Sequence, residues 1–405
     1  MKFFHLTTLL VVSTAAMSGA TTAKVNYSKH VAPILNKRCV ECHRAGEAAP
    51  MTFTSYSEVR PWAKAMKAAV LSKKMPPWLA DPKHGKFSND RRLSPDEIET
   101  ISAWADSGAP EGNPKDLPPA PTFVAGWNIG KPDLIIDLGK DFEVPAEGTV
   151  PYKYFTVDPG LKEDVWVEAA EARADKRSVV HHIIAFVMDS KENLSGTGGN
   201  LLVGWAPGDP PVIFQPGTAK LIRAGSKINF QMHYTPNGKP ATDRSYIGLR
   251  FAKEPPKFRA ITGRTINFGF KIPPGADNHE VAAAFTLKED VHLTGFMPHM
   301  HVRGKDFKYT IVYPDGRSEV LLSVPNYDFN WQLSYQLPEP LFLPKGTKID
   351  TVAHFDNSAN NKYNPDPTKE VKWGDQTWEE MMIGWYDYTL PVTPKAPVAT
   401  GGAEE

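Results

Sequence analysis

The chain has 405 residues, enough for two or three domains, and its 41% hydrophobic content is enough for real cores. Its formal net charge is zero, with 46 basic and 46 acidic residues, which argues against nucleic acid or an acidic membrane surface as a partner. Proline (37 residues) and aromatics (11%) are abundant, and with many short β-branched runs they lean toward loop-rich β structure.

The chain opens with a basic residue, an apolar run and small residues, "MKFFHLTTLLVVSTAAMSGATTA". This predicts an export signal peptide over residues 1–23, cleaved near Ala20 or Ala23. The apolar run is short for a bilayer span, and a retained anchor is the alternative. The expectation is a periplasmic or secreted protein without stable membrane insertion.

Cys39 to His43 read "CVECH", the C-x-x-C-H pattern of covalent heme c attachment. Both thiols would bind the heme vinyls, and His43 would reach the iron. The alternative is a redox C-x-x-C with a chance histidine. The only two cysteines of the chain lie in this motif, so no disulfide is available elsewhere. "SYSEVRPWAKAMKAAVLSKKMPPW" predicts a helix ending before Met75, with Pro76 and Pro77 stopping it and stiffening the loop. Met75 is the expected second axial ligand, and Met51, Met66 and His84 are rivals. A Met–His pair would raise the heme potential. In "LSPDEIETISAWADSGAP", Ser94 is the predicted N-cap with Glu97 completing a capping box. Ile98, Ile101, Trp104 and Ala105 form the apolar stripe, and Gly108 and Pro110 end the helix. The segment from about Val25 to Gly112 resembles small all-α cytochromes c, and a domain over residues 24–114 is expected.

Residues 115–130 are rich in proline and glycine and read as a semi-rigid linker. Short alternating runs come next, including "VVHHIIAFV", "KINFQMHY", "HLTGFMPHMHV" and "KIDTVAHF", separated by turn residues such as "PDG" and "PNG". They predict two all-β antiparallel sandwiches of jelly-roll type, over residues 131–256 and 257–392. The seam is "AKEPPKFRA", and residues 393–405 read as a disordered tail.

Three histidine motifs fall on these strands: His181–His182, His233, and His299 with His301. His299 and His301 are two apart, so one strand would present both rings on one face. Adjacent His181 and His182 would point to opposite faces unless the strand bulges or ends. Met381 and Met382 lie in an apolar aromatic run, where core filling is the ordinary role of methionine. Imidazole with thioether suits copper, the thioether favouring Cu(I). His279, His292 and His354 fit no pattern and read as structural or surface residues. The run from His354 to Pro367 reads as a turn-rich loop.

The order of these motifs, together with Gln231, Tyr234, Gly304, Lys305 and Glu380, resembles copper type II monooxygenases, the peptidylglycine-hydroxylating and dopamine β-monooxygenase family. The resemblance spans about Trp127 to Leu390. It implies that His181, His182 and His233 hold an electron-transfer copper. It implies that His299, His301 and Met381 hold the copper that binds O2, and are the catalytic set. The chain departs from the family in lacking disulfides. Met297 stands where peptide hydroxylases have a carboxylate-binding arginine, and Trp385 where they have a tyrosine. Both changes disfavour a peptide substrate. The expectation is an exported oxidoreductase with one heme c and two copper ions. It would hydroxylate a small-molecule C–H bond with O2 and draw electrons from a redox donor to the heme. The rival is an electron-transfer cytochrome whose sandwiches bind a partner or copper without oxygenation. A second rival is zinc at one of the histidine sites.

Overall fold

The computed structural model describes residues 25–47, 49–123, 126–189, 200–206 and 210–392. The expected signal peptide and C-terminal tail therefore lie outside the described residues. The chain is mostly β sheet with few helices. Among the described residues, no helix is long and apolar enough to cross a membrane.

The helical unit comes first. It holds a π-helical turn (Tyr27–Val31) and helices α1 (Ala32–Arg38), α2 (Tyr56–Val59), α3 (Ala63–Leu71) and α4 (Pro95–Asp106). Ser94 caps α4 through the Glu97 amide, Glu97 returns the bond, and Gly108 adopts φ +87° just past the end. Ile101 and Trp104 of α4 are fully buried against Leu35, Val59 and Val70. The helix expected up to Met75 is broken by a 3-10 turn at Arg60–Trp62 and stops at Leu71. Pro61 lacks the amide proton that a continuous helix would need there.

The first pair of sheets is built from β1 (Leu134–Asp137), β2 (Phe142–Val144), β3 (Lys153–Val157), β4 (Val165–Arg173), β5 (Val180–Met188), β6 (Asn200–Trp205), β7 (Val212–Ile213), β8 (Thr218–Ile222), β9 (Lys227–Tyr234), β10 (Ala241–Asp243) and β11 (Tyr246–Phe251). The order β3-β9-β5-β6 faces β1-β11-β4-β8, and Phe155, Val167, Ile183, Phe230 and Leu249 fill the space between. Strand β9 is buried on both faces. Ile228, Phe230, Met232 and Tyr234 enter the core, so the alternate Asn229, Gln231 and His233 emerge on the other side, and they too are buried.

The second pair holds β12 (Phe258–Ile266), β13 (Lys271–Ile272), β14 (His279–Thr286), β15 (Val291–His299), β16 (Gly304–Val312), β17 (Ser318–Val324), β18 (Tyr335–Leu343), β19 (Lys348–Phe355), β20 (Val371–Lys372) and β21 (Ile383–Pro391). The order β14-β19-β16-β17 packs on β12-β21-β15-β18 over Phe296, Phe307, Tyr309, Ile349 and Phe355.

Two features depart from the sequence expectation. The pairing is not purely antiparallel: β8 runs parallel to β12, with Phe258 opposite Thr218, so one sheet continues across the seam. The edge of the first sheet is thereby paired, which removes an exposed row of backbone groups. The linker is also fixed at its C-terminal end. Ile129 is fully buried, and the amides of Asn128 and Ile129 donate to the Glu171 carboxylate at 2.7 and 3.2 Å.

The units touch. Trp78 and Phe87, downstream of Met75, pack edge-on against Tyr335 at 5.0 and 5.4 Å. Arg177 of the first sandwich pairs with Glu47 of the helical unit. Between the sandwiches lies a separate apolar cluster of Phe186, Leu201, Met381, Ile383 and Trp385.

Candidate metal centre

Three strands deliver the histidines to the gap between the sandwiches. In β5, Ile183, Ala185 and Val187 face the first core, so His182 faces out. A register shift between Val180 and His182 turns His181 to the same side. That bulge is what two adjacent histidines need to reach one point. His182 lies directly opposite His233 of β9. The ligand atoms of His181, His182 and His233 all lie within 4.8 Å of one another. The two Nδ1 atoms of His181 and His182 are 3.3 Å apart.

The second set arrives from β15. A register shift between Leu293 and Gly295 flips its alternation, so Phe296 and Met300 enter the second core while Met297 and His299 face the gap. The strand ends at His299, and His301 lies just beyond it, not on the same strand as expected. The two rings still lie 5.3 Å apart. Gly304 closes this corner: a Cβ there would sit 2.8 Å from both the Met300 side chain and the Tyr327 ring.

Hydrogen bonds orient both rings. His299 Nδ1 donates to Gln332 Oε1 at 2.7 Å, and His301 Nδ1 donates to the Glu379 carbonyl at 3.3 Å. Each bond selects the tautomer that leaves the Nε2 lone pair open. Glu380 accepts from the His301 amide at 2.8 Å and from the Arg303 amide at 2.7 Å, tying the loop down. Burial pushes the Glu380 carboxyl up to about 8.

All five imidazoles are held neutral. Burial pushes His233 down to about 3 and His299 down to about 4, lowers His181, and drives His182 and His301 well below the ordinary value. Among the described residues, His182 Nε2, His233 Nδ1 and His301 Nε2 are buried without a hydrogen-bond partner. A buried polar atom left unpaired costs about 1–3 kcal/mol. Several such nitrogens in one place fit a bound cation, and nitrogen with thioether donors fits copper.

The two histidine sets are neighbours. The Tyr152 ring lies 4.7 Å from His233 and 6.1 Å from His301, and the Phe329 ring lies 6.0 Å from each of the same two. His182, His299 and Met381 line one small cavity of about 40 Å³. Met297 and Trp385, the two departures from the peptide-hydroxylase pattern, face one another across β15 and β21 and line the same cavity. Met382 points the other way, into the second core.

Of the remaining matched residues, Gln231 donates to the Tyr154 hydroxyl at 2.9 Å on the site side. Tyr234 instead faces the first core and bonds Asp243 at 2.9 Å. Lys305 bonds Asn278 at 2.7 Å, away from the histidines. His354 lies between Asp306 and Glu280, and His292 packs between Phe258 and Phe342. Sequence reasoning missed Gln332, Tyr152 and Phe329. None sits in a patterned motif, and each reaches the site only through long-range folding.

At the C-x-x-C-H segment, one turn brings the His43 amide to the Cys39 carbonyl at 2.9 Å. His43 stacks on Phe53 at 4.3 Å, and its Nδ1 donates to the Met51 carbonyl at 3.2 Å, which leaves Nε2 to coordinate. Met51 is thus engaged through its backbone, and Met66 is buried in the helical core. Burial pushes the Cys39 thiol up to about 12, the opposite of the depressed value a redox C-x-x-C needs. Met75 lines a chamber of about 1090 Å³ that His84 does not line. Cys42 lines a different, polar cavity with Arg44 and Arg177, and the structure does not place Met75 and His43 on one cavity wall.

No family model matches the chain, and no curated protein matches it. Among solved structures it is similar to the major capsid protein P2 of bacteriophage PM2, at 9% identity and a TM-score of 0.27, over 64% of this chain and 100% of that one. It is also similar to allantoicase, at 10% identity and a TM-score of 0.17, over 53% and 79%. A third is infectious bursal disease virus Gx strain, at 8% identity and a TM-score of 0.18, over 65% and 83%. Scores this low carry no argument about what the chain does.

Proposed function

We propose that the chain is a copper-dependent monooxygenase fed with electrons through a covalent heme c. The observation that carries this reading is the convergence of five neutral histidines from both sandwiches, with partnerless buried nitrogens, beside a cavity that Met381 also lines. His181, His182 and His233 would hold one copper, and His299, His301 and Met381 a second. Cys39, Cys42 and His43 would hold the heme, with Met75 as its second ligand. Bound copper supplies one-electron chemistry with O2, and the heme supplies the electrons.

The chain's own residues set the conditions. Gln332 and Glu379 engage the Nδ1 atoms of His299 and His301, which leaves the Nε2 atoms available to the copper that these residues would hold. The cross-strand pair Met297 and Trp385 presents apolar surface and no charge to the reacting space. This favours a small, uncharged substrate over a peptide carboxylate. The cavity of about 40 Å³ has room for molecules of water or O2 size.

The test is metal analysis followed by oxygen consumption. Purified protein is expected to carry one heme that survives denaturation and up to two coppers that do not. With a reductant, O2 uptake should rise when an oxidisable C–H substrate is added, and the product should gain one oxygen by mass. Zinc in place of copper, or no product oxygen from any C–H compound screened, would sink this reading in favour of an electron-transfer or binding protein.

A further inference from the structure

The small cavity beside His182 and His299 has apolar walls on both sides. From the first sandwich it is lined by Ile184 and Phe186 of β5 and by Trp205 at the end of β6. From the second come Met297 of β15 and Ile383 and Trp385 of β21. Phe186, Ile383 and Trp385 belong to the apolar cluster between the sandwiches, and Ile184 and Met297 pack against it. Among the described residues, no Asp, Glu, Lys or Arg lines this cavity.

Its two glutamines are already engaged. Gln231 Nε2 donates to the Tyr154 hydroxyl at 2.9 Å. Gln332 accepts from His299 at 2.7 Å and donates to the Phe329 carbonyl at 3.3 Å. The backbone of Ile184 and Gly204 is paired in the β5–β6 ladder. What the walls offer a bound molecule is chiefly carbon and thioether surface.

Charge lies outside the two indoles. Trp205 also lines a separate cavity of about 250 Å³, whose walls include Glu41, Arg44, Glu47, Glu171 and Arg177. Arg177 lies over the Trp205 ring at 6.0 Å and Arg264 over the Trp385 ring at 5.6 Å, yet neither guanidinium lines the small cavity.

We propose that the substrate is a neutral, hydrocarbon-bodied molecule, carrying neither carboxylate nor ammonium, held against Met297 and Trp385. The inference rests on the copper reading above and names the substrate class of that site. An ammonium here would meet no carboxylate, and a buried unpaired charge is strongly disfavoured. A carboxylate would meet no cation but the metal, and binding there would occupy the position that O2 needs. A neutral body instead gains from burial of its apolar surface and from contact with sulfur. The cavity of about 40 Å³ exceeds the ~10–15 Å³ that one water needs, but a larger body requires a wall to yield. Met297 is half-buried and unbranched, so it is the wall that gives way.

The experiment measures binding to the full chain by equilibrium dialysis in sealed cells, once stripped of copper and once with cuprous copper. The probes are toluene, benzoate and benzylammonium, which share a ring and differ in charge. Toluene is expected to bind, and both ions to bind at least about a hundredfold more weakly. Met297→Arg is expected to weaken toluene by at least about tenfold and to tighten benzoate, because it replaces apolar wall by a cation. Should that variant not fold, Met297→Gln is read in its place and is expected to weaken toluene without tightening benzoate. Either ion binding wild type as tightly as toluene overturns the proposal. So does a toluene affinity that Met297→Arg leaves unchanged, since the probe then sits elsewhere. Both results leave the copper reading standing if the chain holds its copper. A wild-type chain that takes up no copper overturns that reading, and the substrate assignment falls with it.

Discussion

Met381 and Met382 are chemically identical neighbours with different surroundings. Met381 lies in the cluster between the sandwiches and lines the cavity with His299, whereas Met382 is fully buried in the second core. Leucine conserves the volume of either, so each replacement should cost less than about 1.5 kcal/mol of stability. Only at position 381 does it remove a thioether from the proposed copper ligands. Met381→Leu should abolish most oxygenation and remove the copper–sulfur signal from X-ray absorption of the reduced protein. Met382→Leu should keep both. The reverse result would show that the alternation before β21 is misassigned.

At the scale of elements, bulges and edges place the chemistry. Two register shifts, at Val180/His182 and at Leu293/Gly295, turn histidines toward the gap that regular alternation would have scattered. The β8–β12 junction carries an unusual charge. Lys220 is buried there, donating to the Leu201 carbonyl and, at 3.0 Å, to the Thr262 hydroxyl, which in turn donates to Asp387 at 2.6 Å. Burial pushes its ammonium down to about 8 from the ordinary 10.5. Between those values the unfolded chain binds more protons than the folded one, so stability rises with pH across this window and the full cost is present below it. The increment amounts to about 3 kcal/mol. Denaturation of wild type should show it between pH 8 and 10.5 relative to Lys220→Met. Parallel pH profiles of the two proteins would mean that Lys220 is not desolvated.

On the scale of the whole molecule, the segment after Met75 is the strap. Trp78, Ala80 and Phe87 join the core of the second sandwich although they belong to the N-terminal part of the chain. Trp78→Ala should cost that contact about 3–5 kcal/mol. The expected readout is faster limited proteolysis between Lys83 and Arg92. Copper binding at His181, His182 and His233 should be spared, since those residues stand on the first sandwich. Unchanged proteolysis would mean that the backbone bonds of Asp81 and Ser88 and the side-chain bonds of Asn89 hold the strap without the indole.

Short-range rules made part of this protein legible in its sequence. The capping box of α4, the turn that joins Cys39 to His43, and the alternation of β9 depend on neighbours within a few residues, so their residue patterns are visible in the chain itself. The histidines were legible as chemistry for the same reason. Tertiary structure alone decided which of them meet. The parity flip at Gly295 depends on how β15 registers with β18 and β21, and no local pattern encodes it. Gln332 reaches His299 from 33 residues away, and Phe329 reaches His181 from a loop of the other sandwich. The parallel β8–β12 pairing joins what composition had separated at the seam. Such contacts are selected by the packing of whole sheets, where burial of apolar faces fixes the register and the polar side chains on the opposite face are carried along with it.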